Sequence, residues 1–420
     1  MDISVIVVSY NVRDYLSLCL DSLIRSVRLL SGEIIVVDNC SEDGSVEYLK
    51  MNYPDVKLML NSTNVGFGVA CNQGLEAAQG KFILFINPDT IIPEDMLVQS
   101  IDFLNRREDA GALGVCLIDG TGGILRESKR SIPTLWSSIC KFSGLSDRFP
   151  QISFFNGYYA PEIEYEEIGE IEVLPGAFML IRKHILYTLN GFDPRFFMYA
   201  EDIDLSYRIK KLGYKIWYNG ALKAVHFKGE STKKSLVEYT DTFFSSMKLF
   251  IEKYRGELYG NLESTFLLGA VNTILRIKRY WNKVTEKNTS NYKVVEKSPQ
   301  FGKTLLLSDT EEHLNLLKRQ FLFQDLQRVD DSNEKISDII ALRYIIPFLW
   351  NEKGYTVILD TNSLSFSQII KIMKKTGEDP IFWLSDLRKG YILSSVERDS
   401  QGQSYRIQES ISKSKDHGPC

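Results

Sequence analysis

Four times in the first hundred residues a short apolar run of strand length gives way to a segment with helical periodicity. This alternation limits the fold more than any other feature of the chain. "SVIVVSY" precedes "RDYLSLCLDSLIRSVRLL", in which Leu16, Leu20, Leu23, Ile24, Val27 and Leu30 recur on one helical face. "EIIVVDN" precedes "DGSVEYLKMN", and "KLMLN" precedes the small-residue helix "GVACNQGLEAAQ". "KFILFINPD" precedes "PEDMLVQSIDFLNRR", with Pro93 expected at the first helical position, and "GALGVCLI" is a further strand. Strands that are apolar on both faces, separated by helices, predict an α/β fold with a mostly parallel sheet covered on both sides.

Ligands of such sheets bind beyond the C-terminal ends of the strands. The residues expected there are Ser9, Tyr10 and Asn11 after the first strand and Asp38 and Asn39 after the second. Asn61 and Asn64 follow the third strand, and Asn87 and Asp89 the fourth. In "FILFINPDT" a fully apolar strand meets Pro88, which has no N–H for a ladder, and Asp89, which is costly inside an apolar layer. The strand is therefore expected to end there, with Asp89 at the sheet edge. For Asn39, Ser41 and Asp43 a turn or cap role is the simpler reading. Asp38 and Asp89 end hydrophobic strands and are candidates for binding.

Beyond residue 120 the pattern changes. "DGTGGILRESKRSIPT" reads as loop, and residues 134–170 are aromatic and irregular, as a variable region or lid would be. "IEVLPGAFMLIRK" is strand-like but broken at Pro175 and Gly176. "FDPRFFMYAEDIDLSYRIKKLGYKIWYN" runs through a helix into a strand. Asp204 and Arg208 are spaced as an i,i+4 pair. Glu201 and Asp202 fall at the helix start, either as partners of the helix dipole or as a general base. His226, one of four histidines, ends the apolar strand of "ALKAVHFKGES", beside Gly229 and Ser231.

Composition excludes some classes. The 420 residues allow two or three domains; 44% hydrophobic and 25% charged content is ordinary for a globular chain. A formal charge of -4 gives no reason to expect nucleic acid. The six cysteines are scattered, and Cys19, Cys71 and Cys116 lie in apolar contexts. They read as buried thiols in a reducing compartment. "MDISVIVVSYN" has an acid at residue 2 and no basic start, so it reads as a strand rather than a signal peptide. No apolar run is long enough to span a bilayer. These points favour a cytoplasmic protein.

Seven segments taken together resemble family 2 glycosyltransferases, inverting and metal-dependent enzymes of the GT-A fold. They are "VIVVSYN", "IIVVDNCSEDGS", "NVGFGVACNQGL", "FINPDT", "LPGAFMLIRK", "FDPRFFMYAEDIDLSYRIKKLGYK" and "HFKGES", in the family's order. "NVGFGVACNQG" and "NPDT" resemble most the rhamnosyltransferase-like branch, which builds bacterial surface polysaccharides. The resemblance implies a nucleoside-diphosphate sugar donor and a saccharide or lipid-linked saccharide acceptor. It implies that Asp38 reads the nucleobase, that Ser9, Tyr10 and Asn11 line the same pocket, and that Asn64, Gly66 and Asn72 lie along the donor. "NPD" stands where many relatives carry D-x-D, so Asn87 replaces one carboxylate. Asp89 is implied to bind a divalent cation, Mg2+ or Mn2+, with His226 as a later ligand. Asp202 matches the catalytic base, with Glu201 beside it. The Q-x-x-R-W motif of processive synthases is absent, which favours transfer of one sugar. Two other readings fit parts of the pattern. One is a non-catalytic nucleotide-sugar binding or assembly protein of the same fold, against which intact Asp89, Asp202 and His226 speak. The other is a nucleotidyltransferase, but "SYNVRDYLS" lacks the Gly-rich basic loop such enzymes carry.

The expected organisation is a transferase domain over 1–255, a helix and linker over 256–298, and a small Rossmann-like domain over 299–420 with a disordered tail. "STFLLGAVNTIL" followed by "RIKRYWNK" reads equally as a helix packed on the transferase domain or as an interfacial helix on the cytoplasmic membrane face. The second β-α series begins at "KTLLLSD"; no G-x-G-x-x-G follows it, so a degenerate scaffolding or interaction domain is expected.

Overall fold

The computed structural model describes residues 1–227, 236–289, 300–308, 310–329, 356–376, 381–386, 388–389, 391–394 and 403–406. Gly229, Ser231, the stretch 290–298 and the tail lie outside the described residues. The chain forms two compact units, one of residues 1–119 and 123–295 and one of 120–122 and 296–420.

The first unit is built on nine strands: β1 (Ile3–Ser9), β2 (Gly32–Asp38), β3 (Lys57–Leu60), β4 (Phe82–Ile86), β5 (Thr90–Ile91), β6 (Ala110–Ile118), β7 (Ile168–Ile171), β8 (Phe178–Arg182) and β9 (Lys215–His226). The order across the sheet is β3-β2-β1-β4-β8-β6-β9-β5, with β7 also on β9. β3, β2, β1 and β4 are mutually parallel, and β8 runs antiparallel between β4 and β6. Every residue of β1, β4 and β6 is buried, as their unbroken apolar runs require. Helices α1 (Arg13–Val27), α2 (Ser45–Asn52), α3 (Phe67–Ala77) and α4 (Met96–Asn105) form the crossovers. α1 is buried on more than one face: Tyr15, Leu18 and Cys19 are covered along with Leu16, Leu20 and Leu23. α4 starts later than the sequence suggests. Met96 N–H donates to the Pro93 carbonyl, so Pro93 opens a turn ahead of the helix rather than its first position. α3 owes its closeness to β1 to Gly74, whose absent Cβ would lie 2.6 Å from Ile6.

A second core lies on the helix Glu201–Lys211. Phe196, Ala200 and Ile203 pack with Phe244 and Phe250 of the helix Leu236–Lys253, with Tyr254 just after it, and with Leu267, Val271 and Leu275 of the helix Asn261–Thr289. That last helix therefore buries one face within the first unit. Among the described residues no helix is long and apolar enough to cross a membrane. Asp204 holds this core together: it has no solvent exposure and accepts from Arg208 Nε (2.8 Å), Tyr254 Oη (2.6 Å) and Lys253 Nζ.

The second unit has parallel strands β10 (Gln300–Leu307), β11 (Leu322–Val329), β12 (Thr356–Asp360) and β13 (Ile381–Asp386), then antiparallel β14 (Tyr391–Ser394) and β15 (Gln403–Arg406). At its strand ends buried polar groups satisfy one another. His313 Nδ1 lies 3.0 Å from Asp360 and its Nε2 2.8 Å from Ser385 Oγ, while Ser308 Oγ donates to Asp360 at 2.7 Å. Burial raises the proton affinity of Asp360, but the hydrogen bonds and charge of His313, with Ser363 and Asn362 N–H, bring it down to about 2.

Asp204→Ala leaves Arg208 and Lys253 facing an apolar gap. A loss of about 3–5 kcal/mol is expected in urea unfolding of the full chain, read at the transition of the first unit. A loss below about 1 kcal/mol would show that the carboxylate is dispensable to this core.

Candidate active site

The parallel register places the expected site residues along one edge. Ser9 pairs with Asp38 across β1 and β2, and Val7 pairs with Ile86 across β1 and β4, so Asn87 follows directly beside them. Asn87, Pro88 and Asp89 form a turn, closed by Thr90 N–H to the Asn87 carbonyl. The two-residue strand β5 then pairs Thr90 with His226, and Phe227 N–H donates to the Asp89 carbonyl. Residues far apart in sequence thus meet: Asp89 Oδ1 is 3.3 Å from His226 Nε2, and Asn87 Nδ2 is 3.2 Å from the same nitrogen. Asp89 is 1% exposed, yet among the described residues neither carboxylate oxygen has a hydrogen-bond partner, nor has His226 Nδ1. A buried carboxylate costs several kcal/mol unless it is matched by charge or hydrogen bonds, so this pair suits a cation. Among the described residues no three metal-ligating side chains cluster.

Around the first two strand ends the polar groups are partly engaged. Asp38 accepts from Ser41 N–H (2.8 Å) and Ser41 Oγ (2.6 Å), while Ser9 Oγ is buried and unpartnered. Asn11, at positive φ, joins this loop to the next: its N–H donates to Ser41 Oγ and its Oδ1 accepts from Glu42 N–H. Tyr10 is half-buried beside it. Asn64 Oδ1 accepts from Gly66 N–H. Gly66 has φ +86°, and a Cβ there would lie 2.6 Å from the Phe197 carbonyl, so the backbone it admits is that of the 192–197 loop. Asn72 commits both ends of its amide to Phe192, donating to its carbonyl and accepting from its N–H, each at 2.8 Å. Gly66 and Asn72 therefore tie the helix Phe67–Ala77 to the loop that leads into Glu201 and Asp202, with Asn64 holding the Gly66 N–H.

Those two acids open the helix Glu201–Lys211. Asp202 Oδ2 accepts from Arg130 Nη2 (2.5 Å) and Gly176 N–H (3.3 Å), and its Oδ1 from Ile203 N–H (2.8 Å). Arg130 also donates to the Leu174 carbonyl. Glu201 is buried, with Oε2 unpartnered among the described residues, and burial followed by the charge of Asp202 pushes it up to about 8. A cavity opens beside both acids, walled by Arg130, Ser138, Lys141, Tyr158 and Tyr199. The sequence reading passed over Arg130 and Lys141. For Arg130 the signal is its neighbour Lys129 in "SKRSIP", within a loop-like stretch; Lys141 carries none.

Comparisons with known proteins define the class as a sugar-transferring enzyme. Residues 4–187 match the family model "Glycosyl transferase family 2". An N-acetylglucosaminyl-diphospho-decaprenol L-rhamnosyltransferase of Mycobacterium tuberculosis (strain CDC 1551 / Oshkosh) is 27% identical over 259 residues, which is 59% of this chain and 83% of that protein. Rhamnosyltransferase WbbL of Escherichia coli (strain K12) is 30% identical over 233 residues, 53% of this chain and 82% of that protein. A mannosyltransferase from Pyrobaculum calidifontis, solved in complex with GDP-Man and Mn2+, aligns over 69% of this chain and 81% of its own at 18% identity, with a TM-score of 0.44. The chain belongs to glycosyltransferase family 2, on its rhamnosyltransferase-like side.

Glu201 ties stability to pH. The folded chain holds this proton up to about pH 8, whereas an unfolded glutamate releases it near 4.5. The stability it contributes is fully present below pH 4.5 and is lost as pH rises through about 8. The Tm of Glu201→Gln relative to wild type should therefore rise steadily across that interval. A difference independent of pH would show that Glu201 is ionised in the folded protein.

Proposed function

We propose that this chain transfers one sugar, with inversion, from a nucleoside-diphosphate sugar to a hydroxyl of a saccharide or lipid-linked saccharide in cell-surface polysaccharide assembly. The observation that carries the reading is Asp89: a buried carboxylate at a strand end, facing His226, with no hydrogen-bond donor to either oxygen among the described residues. Asp89 and His226 would hold a divalent cation, Mg2+ or Mn2+, with the donor's diphosphate oxygens completing its shell. When bound, the cation neutralises charge on the departing nucleoside diphosphate. Asn87 keeps the His226 ring in place. Asp38, Ser9, Tyr10 and Asn11 form the nucleobase side, where the carboxylate of Asp38 can accept an imide N–H. Asp202 takes the proton of the acceptor hydroxyl. Arg130, Gly176 N–H and Ile203 N–H fix its orientation, while Glu201 keeps its own proton at neutral pH. The lipid carried by the acceptor in the mycobacterial relative's name supports work at the cytoplasmic membrane face. The helix Asn261–Thr289 buries Leu267, Val271 and Leu275 but leaves Leu262 87% and Phe266 60% exposed. The side chains of Tyr280 and Trp281 lie outside the described residues.

Two variants separate the roles. Asp89→Ala should abolish Mn2+-dependent binding of UDP-, dTDP- or GDP-sugars in a thermal-shift screen. Asp202→Asn should retain that binding and lose about a hundred- to ten-thousand-fold in turnover. Full wild-type activity in excess EDTA would remove the cation from the reading, and near-normal turnover of Asp202→Asn would move the base to Glu201. For the membrane, Leu262→Ser with Phe266→Ser should reduce flotation of the full chain with anionic liposomes. Unchanged flotation would clear this helix of the role.

A further inference from the structure

The end of the sheet opposite Asp38 and Asp89 carries a second cleft. β4 and β8 are antiparallel, so the start of one meets the end of the other. Phe82 pairs with Arg182, while Ile86, next to Asn87, pairs with Phe178. Around the Phe82–Arg182 pair opens a cleft of about 720 Å³, walled by Lys81, Phe82, Arg182, Lys183, His184 and Tyr187. The five residues of β4 set it roughly 17 Å from the turn at Asn87.

No carboxylate lines this cleft among the described residues. Arg182 is half-buried and bonds to main-chain carbonyls: Nε donates to Ala110 (2.8 Å), Nη2 to Leu104 (2.7 Å) and Arg107 (3.1 Å). Lys183, also half-buried, donates to the Ala78 carbonyl at 2.8 Å, and its ammonium lies 5.2 Å from the centre of the Tyr187 ring. His184 meets Tyr214 Oη at 3.2 Å, and Lys81 is exposed. The acid next to the Ala110 carbonyl, Asp109, is ion-paired with Lys215 at 2.9 Å. Carbonyl dipoles orient a cation without cancelling its net charge, and a cleft lined by one sign of charge focuses the field inside it.

We propose that this cleft binds a small soluble anion carrying two or more phosphate groups, at a site separate from that of sugar transfer. Arg182 and Lys183 are preset contacts. Their bonds to Ala110, Leu104, Arg107 and Ala78 hold the charged heads in place, which lowers the ordering cost of binding. Arg182 Nη1 and the remaining ammonium N–H groups of Lys183 have no partner among the described residues and are left to a ligand. Lys81 adds an exposed third charge. Three permanent cations match more than one negative charge, and guanidinium with ammonium is the donor set that recognises phosphate oxygens. Because Arg182 and Lys183 are half-buried, the ligand must enter the cleft. A flat lipid surface would meet chiefly Lys81 and His184, so a soluble anion is favoured over a membrane. The inference does not depend on the roles proposed for Asp89 and Asp202.

The test is isothermal titration calorimetry of inorganic pyrophosphate against the full chain in EDTA, where no metal-bridged contact at Asp89 can form. Pyrophosphate should bind. Lys81→Met and Lys183→Met should each weaken it about tenfold, the loss of one charged hydrogen bond, and Lys81→Arg should restore it. Lys50→Met, on the exposed side of α2, should change nothing. Absence of pyrophosphate binding, or wild-type binding by both Lys81→Met and Lys183→Met, would overturn the site. An equal loss in Lys50→Met would reduce it to general attraction between charges. Mn2+-dependent binding of nucleotide-sugars should be unchanged in Lys81→Met, and a parallel loss there would place the anion in the donor site instead. Flotation with phosphatidylglycerol vesicles that needs Lys81 and Lys183, without binding of pyrophosphate, would overturn the soluble ligand in favour of a lipid headgroup.

Discussion

Asp204 is cut off from solvent, and its carboxylate is matched by Arg208, Lys253 and Tyr254. Removing one member of such a group strands the others in an apolar surround. Two of its partners, Lys253 and Tyr254, close the helix Leu236–Lys253 and follow directly on it, and Asp204 itself sits one turn into the helix that begins with Glu201. The electrostatic match therefore fixes where that helix starts, and with it the placing of Asp202. Arg208 extends the constraint by donating to the carbonyls of Leu189 and Gly191, next to the Phe192 backbone that Asn72 grips.

The two carboxylates proposed to act, Asp89 and Asp202, are held in opposite ways. Asp89 is left with both oxygens unpartnered beside His226, which suits a group awaiting a cation. Asp202 is saturated by Arg130 and two backbone N–H groups, which suits a group that must not turn. Placing a carboxylate at the end of a buried strand exploits the stiffness of the sheet, and placing one at a helix start exploits donors already present there.

Much of this was legible because it follows from period and composition. The apolar runs of β1, β4 and β6 admit no half-exposed placement, and Asn87-Pro88-Asp89 could only end β4. The i,i+4 spacing of Asp204 and Arg208 announced their pair. What the sequence hid were contacts made across long separations. Nothing local to Asn72 says that its amide clamps Phe192, and nothing local to Gly66 says that Phe197 needs the space. Arg130 was hidden for a different reason: an irregular segment has no period from which the facing of a side chain can be read. The helix Asn261–Thr289 was balanced between packing and interface. The structure resolves one face of it, because Leu267, Val271 and Leu275 lie in the second core while Leu262 and Phe266 stay outside.

The segment from Arg126 to Tyr159 contributes no strand to the nine-stranded sheet. Its stem is held by a few polar contacts, among them Lys129 Nζ to the carbonyls of Tyr159 and Ala160 and Arg130 to the Leu174 carbonyl. Such a cassette can be lengthened, shortened or exchanged without disturbing the ladder that carries Asp38 and Asp89. Of its residues only those that reach across to other elements, Arg130 on Asp202 foremost, would have to be kept when the rest of the insertion varies.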